Sequence, residues 1–88
     1  MDFLLFTYPN CVKCDKMKQT LAQSQVPYQE FGLTLPQGKA KIREFLNHIK
    51  RDDKGAILLP TLIAHTQGIV RAVLTSAEEF ETWWRSRA

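Results

Sequence analysis

Two cysteines, Cys11 and Cys14, stand three residues apart and are the only cysteines of the chain. They follow a short apolar run and precede a helical pattern, in the stretch Phe3-Leu4-Leu5-Phe6-Thr7-Tyr8-Pro9-Asn10-Cys11-Val12-Lys13-Cys14. A C-x-x-C at a strand–helix junction is the arrangement that dithiol–disulfide exchange needs. A helix N-terminus carries about half a positive charge and unpaired N–H groups, and both favour a thiolate over a thiol. Cys11, ahead of the helix, is the candidate nucleophile, with a sulfur free to face solvent and accept N–H bonds from the first turn. Cys14, one turn in, is the candidate resolving thiol that displaces the mixed disulfide formed on Cys11. Lys13 sets an ammonium between them that would favour the thiolate further. The competing readings are an inert pair and a metal site. A closed zinc site wants four ligands, so it would need His48 and His65 or a second chain.

The elements around this motif follow from periodicity. Residues 2–7, apolar through Phe3-Leu4-Leu5-Phe6, predict a central strand buried on both faces. Cys14, Met17 and Leu21 recur at helical spacing and predict a helix from Val12 to Gln25, ended by Pro27. Pro27 to Leu33 predicts a second strand. Ile42, Phe45, Leu46 and Ile49 mark one face of a helix over Gly38–Asp53, with Gly55 at its end. Thr61–His65 and Ile69–Leu74 predict two strands turning at Gly68. Ser76-Ala77-Glu78-Glu79 predicts a capping box in which Glu79 reaches back to Ser76. The last helix then packs through Phe80, Trp83 and Trp84. Adjacent in a helix, the two tryptophans should face differently, one into the core and the other over the sheet edge or toward a partner. The order is β-α-β-α-β-β-α, an α/β chain whose mixed four-stranded sheet is sandwiched by three helices.

Eighty-eight residues suit one domain, 1–88, with a single modest core. The composition, 44% hydrophobic and 24% charged, is that of an ordinary globular protein. No apolar run nears the ~18 residues that span a bilayer, and Asp2 stands where a signal peptide would be basic. A cytoplasmic location is expected, where paired cysteines are more often catalytic or metal-binding than structural. The net charge of +3 gathers in Lys39, Lys41, Arg43, Lys50, Arg51 and Lys54, but Glu44, Asp52 and Asp53 are interleaved. That reads as a solvated face, without the continuous basic surface of a nucleic-acid binder.

The element order, the C-x-x-C after the first strand and Pro60 opening the third resemble the thioredoxin fold. The small size and the Thr7-to-Cys14 loop make the chain similar to glutaredoxins, including the glutaredoxin-like electron donors of ribonucleotide reductase, over essentially its whole length. The resemblance implies a cis bond before Pro60 in Leu58-Leu59-Pro60-Thr61, turning the Leu59 backbone toward Cys11 to pair with a bound thiol peptide. It also sets Tyr8, a rim residue, where glutathione-binding members carry a lysine or arginine. Thr75-Ser76 replaces their glycine pair ahead of the acidic Glu78-Glu79.

The N–H groups opening the last helix at Thr75 and Ser76 suit a carboxylate such as glutathione's, beside the plainer role of Ser76 as a cap. The expected function is a thiol–disulfide oxidoreductase acting on disulfide-containing proteins or mixed disulfides, as a monomer and with no bound cofactor. Reducing equivalents would come from glutathione as co-substrate, or from a thioredoxin-reductase-type flavoenzyme, toward which the changes at Tyr8 and Thr75-Ser76 point. The alternatives are a module linked through a metal or iron–sulfur cluster, and a thioredoxin-fold binding protein without redox activity.

Overall fold

The apolar run forms β1, Asp2–Thr7, in the computed structural model, which describes residues 1–87. Its side chains alternate between two cores. Phe3 and Leu5 join Met17, Leu21, Leu62, Ala64, Leu74 and Phe80 on one face, while Leu4 and Phe6 join Ile42, Phe45 and Ile63 on the other. Burial on both faces explains the lack of polar alternation in this strand. Each fully buried Leu or Phe here is worth about 1.5–3 kcal/mol over exposure.

Helix α1, Val12–Gln23, ends two residues before the predicted limit. Gln25 adopts φ 57°, its N–H donates to Ala22 O, and the Val26 N–H donates to Leu21 O. That is a Schellman closure with glutamine in the left-handed position, so the helix stops ahead of Pro27. β2 is confined to Gln29–Gly32. α2 runs from Pro36 to Ile42, with proline in its first turn where no N–H is needed, and continues as a 3₁₀ segment, Arg43–His48.

The predicted helix over Gly38–Asp53 is therefore corrected at both ends, and for a physical reason. Ile42 and Phe45 both reach the same core of the sheet, with the chain kinked at Phe45, where φ is −124° and ψ 17°. Leu46 is rotated outward and is 47% exposed. Past His48 the chain is extended, and Arg51 bridges Ile57. The Asp52 carboxylate accepts from the N–H groups of Lys54 and Ala56, both at 2.9 Å, closing a turn in which Gly55 has φ 85°. Gly55 thus serves a turn between extended segments rather than a helix end.

β3, Thr61–Thr66, and β4, Ile69–Leu74, complete a sheet of order β2-β1-β3-β4. β1 pairs parallel with β2 and antiparallel with β3, in a register that sets Phe6 opposite Phe31 and Thr61. The β3–β4 register shifts between Ala64 and His65, leaving Arg71 as the extra residue of a bulge on this edge strand. α3, Ala77–Ser86, packs on the α1 face through buried Phe80. Trp83 and Trp84 both end half-buried against Phe3, each ring centroid 6.1 Å from it, with the Arg87 guanidinium above both. The expected division of labour between them does not occur.

Candidate active site

Pro9 and Asn10 form the turn between β1 and α1, with Asn10 at φ 56° in the left-handed region that asparagine tolerates. This turn sets Cys11 at the N-cap of α1, a position normally taken by serine, threonine or aspartate. Its Sγ accepts the Cys14 N–H at 3.0 Å. A free donor of the first helical turn is thus spent on sulfur, and the partial positive charge of the helix end lies beside it. Cys11 is half-buried, whereas Cys14 is 1% exposed. The two are joined as a disulfide with Cα atoms 5.2 Å apart.

Around this disulfide the surface is apolar and basic. Val12, between the cysteines, is 82% exposed and Tyr8 is 51% exposed. Lys13 is exposed on α1 and lines a surface pocket of ≈ 220 Å³ together with Lys16, Ser76, Ala77 and Glu78. The candidate residues Lys13 and Ser76 therefore face the same pocket between α1 and α3. The Leu59–Pro60 bond is cis, as the resemblance implies, and buried Pro60 lies just beyond the Phe6–Thr61 pair, at the end of β1 that leads to Cys11. The Thr61 hydroxyl donates to Leu58 O at 2.7 Å, holding that segment.

The start of α3 departs from the expected capping box. Ser76 Oγ accepts the Glu79 N–H at 3.1 Å, but the Glu79 carboxylate passes over Ser76 to the Thr75 N–H and hydroxyl, at 2.7 and 2.8 Å. These bonds hold the Glu79 carboxyl below its ordinary range: the Thr75 N–H contributes most, then the Thr75 hydroxyl and the charge of Lys50, against a cost from burial. Lys50 Nζ lies 4.0 Å from Glu79. Glu78 is likewise held down, chiefly by the hydrogen bond from Lys16, which spans α1 and α3 at 2.9 Å. The Thr75 donors expected for a ligand carboxylate are thus occupied by the chain's own carboxylate.

A third cluster escaped the sequence reading. Glu30 on β2 accepts from the Thr7 hydroxyl and from Lys18 Nζ, each at 2.8 Å and each on Oε2. Thr7 and Glu30 are 23 residues apart, so no local pattern announces the contact. His48 and His65 do not gather with the cysteines. Among the described residues no three His, Cys, Asp or Glu side chains converge as a metal set would require. A larger depression of ≈ 500 Å³ lies at the opposite end of β1, against Met1, Asp2, Tyr28, Lys41 and His65. It is remote from the sulfur chemistry, so size does not mark the site. No helix among the described residues is long and apolar enough to cross a membrane.

A family model described as Glutaredoxin matches residues 3–64. No curated protein sequence matches the chain. Among solved structures, the thioredoxin-like protein BC3987 superposes with a TM-score of 0.61 at 20% identity, over 92% of this chain and 97% of that one. The glutaredoxin-like protein NrdH-redoxin from Escherichia coli superposes with a TM-score of 0.58 at 15% identity, over 88% of this chain and 84% of that one. At such identities the likeness carries the thioredoxin-like fold, and the family match carries thiol–disulfide redox in general.

Proposed function

The chain belongs to the glutaredoxin family, and on that premise we propose that it reduces protein or mixed disulfides by dithiol exchange, with Cys11 as nucleophile and Cys14 as resolving thiol. The observation that carries this reading is the half-exposed Cys11 sulfur at the N-cap of α1, bonded by the Cys14 N–H and joined to a buried Cys14. In the reduced protein the Cys11 thiolate attacks one sulfur of a substrate disulfide. The substrate S–S bond breaks, the departing sulfur takes up a proton, and Cys11 is left in a mixed disulfide. Cys14, having given up its proton, attacks Cys11 Sγ, releases the second substrate thiol and closes the intramolecular disulfide. Two electrons have then passed to the substrate, and the donor returns two electrons and two protons to the Cys11–Cys14 pair. The two sulfurs carry both electrons, so this scheme calls on no organic cofactor.

Tyr8 and Val12 form the rim that receives the substrate, with Leu59 and Pro60 as its opposite wall. Lys13 supplies charge that favours the thiolate. The donor is a thioredoxin-reductase-type flavoenzyme rather than glutathione. Two features support this choice: no basic residue stands at Tyr8, and the Thr75 donors are closed by Glu79. The E. coli NrdH-redoxin, a structural neighbour described as a glutaredoxin-like protein with a thioredoxin-like activity profile, supports the same reading.

The test is intact mass after acid quenching, on metal-free protein equilibrated across a series of glutathione redox buffers. Loss of two hydrogens with a clear midpoint is expected, without a dominant glutathione adduct. Two thiols that stay free across the series would end the oxidoreductase reading.

A further inference from the structure

Thr7 is the last residue of β1, immediately before the turn that delivers Cys11, and it is buried. Its main chain is tied to the β2 side by the Leu33 N–H, which donates to Thr7 O at 2.9 Å. Its hydroxyl is tied to Glu30 Oε2 at 2.8 Å. The same oxygen takes the Lys18 ammonium, also at 2.8 Å, and Lys18 lies one turn beyond Cys14 on α1. One carboxylate oxygen thus touches both the strand end leading to Cys11 and the helix carrying Cys14. The side chains of Lys18 and Glu30 are only 34% and 39% exposed, which limits the room for either to find another partner. Glu30 is held below the ordinary carboxylate range, by Lys18 first and Thr7 second against a cost from burial, so it is ionised at neutral pH.

Resting on the dithiol reading above, we propose that Glu30 is a positioning residue for the exchange. It clamps the two cysteine-bearing elements together and cancels the Lys18 charge that would otherwise favour the reduced, thiolate form. The electrostatic part has a definite sign. Lys18 lies seven residues after Cys11, about 10 Å along the helix axis. At that range an uncompensated unit charge alters a thiolate's stability by about two- to tenfold, provided ionic strength is low enough that the screening length exceeds the separation. Removing the carboxylate should stabilise the Cys11 thiolate and shift the pair toward the dithiol. Removing the ammonium should do the reverse.

The experiment compares the equilibrium constant of the Cys11–Cys14 disulfide against glutathione, at pH 7 and about 0.01 M ionic strength. The wild-type chain, Glu30→Gln, Lys18→Met and the double variant are measured, with circular dichroism as the check on folding. Glutamine still accepts the Thr7 hydroxyl, so it removes charge with little change of shape. The expected result is a shift of about two- to tenfold toward the dithiol in Glu30→Gln and a comparable shift toward the disulfide in Lys18→Met. The double variant should return to within about twofold of wild type. A bracing role alone would move both single variants the same way or neither, and any pattern other than opposed shifts with recovery overturns the assignment. Should Glu30→Gln not fold, Lys18→Met decides: a shift toward the disulfide supports the proposal, and none or the reverse ends it. A wild-type chain with no redox midpoint would instead remove the oxidoreductase reading itself, and this assignment with it.

Discussion

Replacing Glu79 by alanine should weaken the fold and open the protein to glutathione at once. The carboxylate holds the Thr75 N–H and hydroxyl at 2.7 and 2.8 Å, in the manner of a helix cap. Losing such a cap costs about 1 kcal/mol, which lowers Tm by about 4–8 °C in a domain of this size. The Ser76 Oγ bond to the Glu79 N–H survives, because it uses the backbone, so α3 keeps its start. For an incoming carboxylate the balance runs the other way. The Thr75 donors become free, and a negative charge within about 5 Å of the incoming group disappears; near the surface that repulsion is worth about 1–3 kcal/mol. Glu79's side chain is 45% exposed, so solvent screening puts the gain at the lower end, about 1 kcal/mol or roughly fivefold. The assay is the second-order rate constant for reduction of the Cys11–Cys14 disulfide by glutathione, with uncharged dithiothreitol as control. A rise of about fivefold with glutathione and none with dithiothreitol is expected. Equal changes with the two reductants would show that Glu79 does not guard an anion position.

Three further outcomes follow from the same geometry. Gly38→Ala would ordinarily stabilise a helix by about 0.5–1 kcal/mol, but a Cβ at Gly38 would collide with the Gly32 carbonyl. Overpacking of about 1–3 kcal/mol should prevail, and a urea-unfolding midpoint above wild type would contradict the close approach of α2 to β2. Cys14→Ser should trap a mixed disulfide on Cys11, visible as an adduct mass, whereas Cys11→Ser should form none because Cys14 is buried; adducts on Cys14 alone would reverse the two roles. Because the Glu30 carboxyl is depressed in the folded state, its contribution to stability is complete above the ordinary value of 4.5 and fades as pH falls through the lower folded value. Melting curves from pH 6 to pH 3 should therefore show a smaller fall in Tm for Glu30→Gln than for wild type, and parallel falls would mean that the carboxylate titrates alike in both states.

The fold was legible wherever one stretch of sequence carried its own signal. The uninterrupted apolar run marked β1, the C-x-x-C at its end marked the site, and Ser76 marked the start of α3. The second helix is shorter than its spacing predicts, because Leu46 and Ile49 fit an α-helical face while the chain passes to 3₁₀ at Arg43 and then turns on Asp52. The Asp52-Asp53-Lys54-Gly55 stretch is itself a turn signal, outweighed in the reading by the helical spacing before it. Glu79 was given the right helix end and the wrong donor, since only the path of the side chain decides between Ser76 and Thr75. The tie of Glu30 to Thr7 and Lys18 was out of reach, because it depends on the β1–β2 register and on how α1 lies over it.

Two helix N-termini face the same end of the sheet, and the chain treats them in opposite ways. At α1 the N-cap side chain is the Cys11 sulfur, which takes the Cys14 N–H and lies beside the positive helix end; on the proposed reading that end favours its thiolate. At α3 Ser76 Oγ takes the Glu79 N–H and the Glu79 carboxylate takes the Thr75 N–H and hydroxyl just ahead of the helix, while Glu78 is paired to Lys16 across the gap. A small anionic thiol approaching α3 therefore meets two carboxylates there. A protein partner needs no anchor at that end, because Tyr8 and Val12 already offer an apolar rim beside the sulfur. On the reading proposed above, a carboxylate over one helix end and the nucleophile at the other let the chain keep dithiol exchange while turning its preference from glutathione toward proteins.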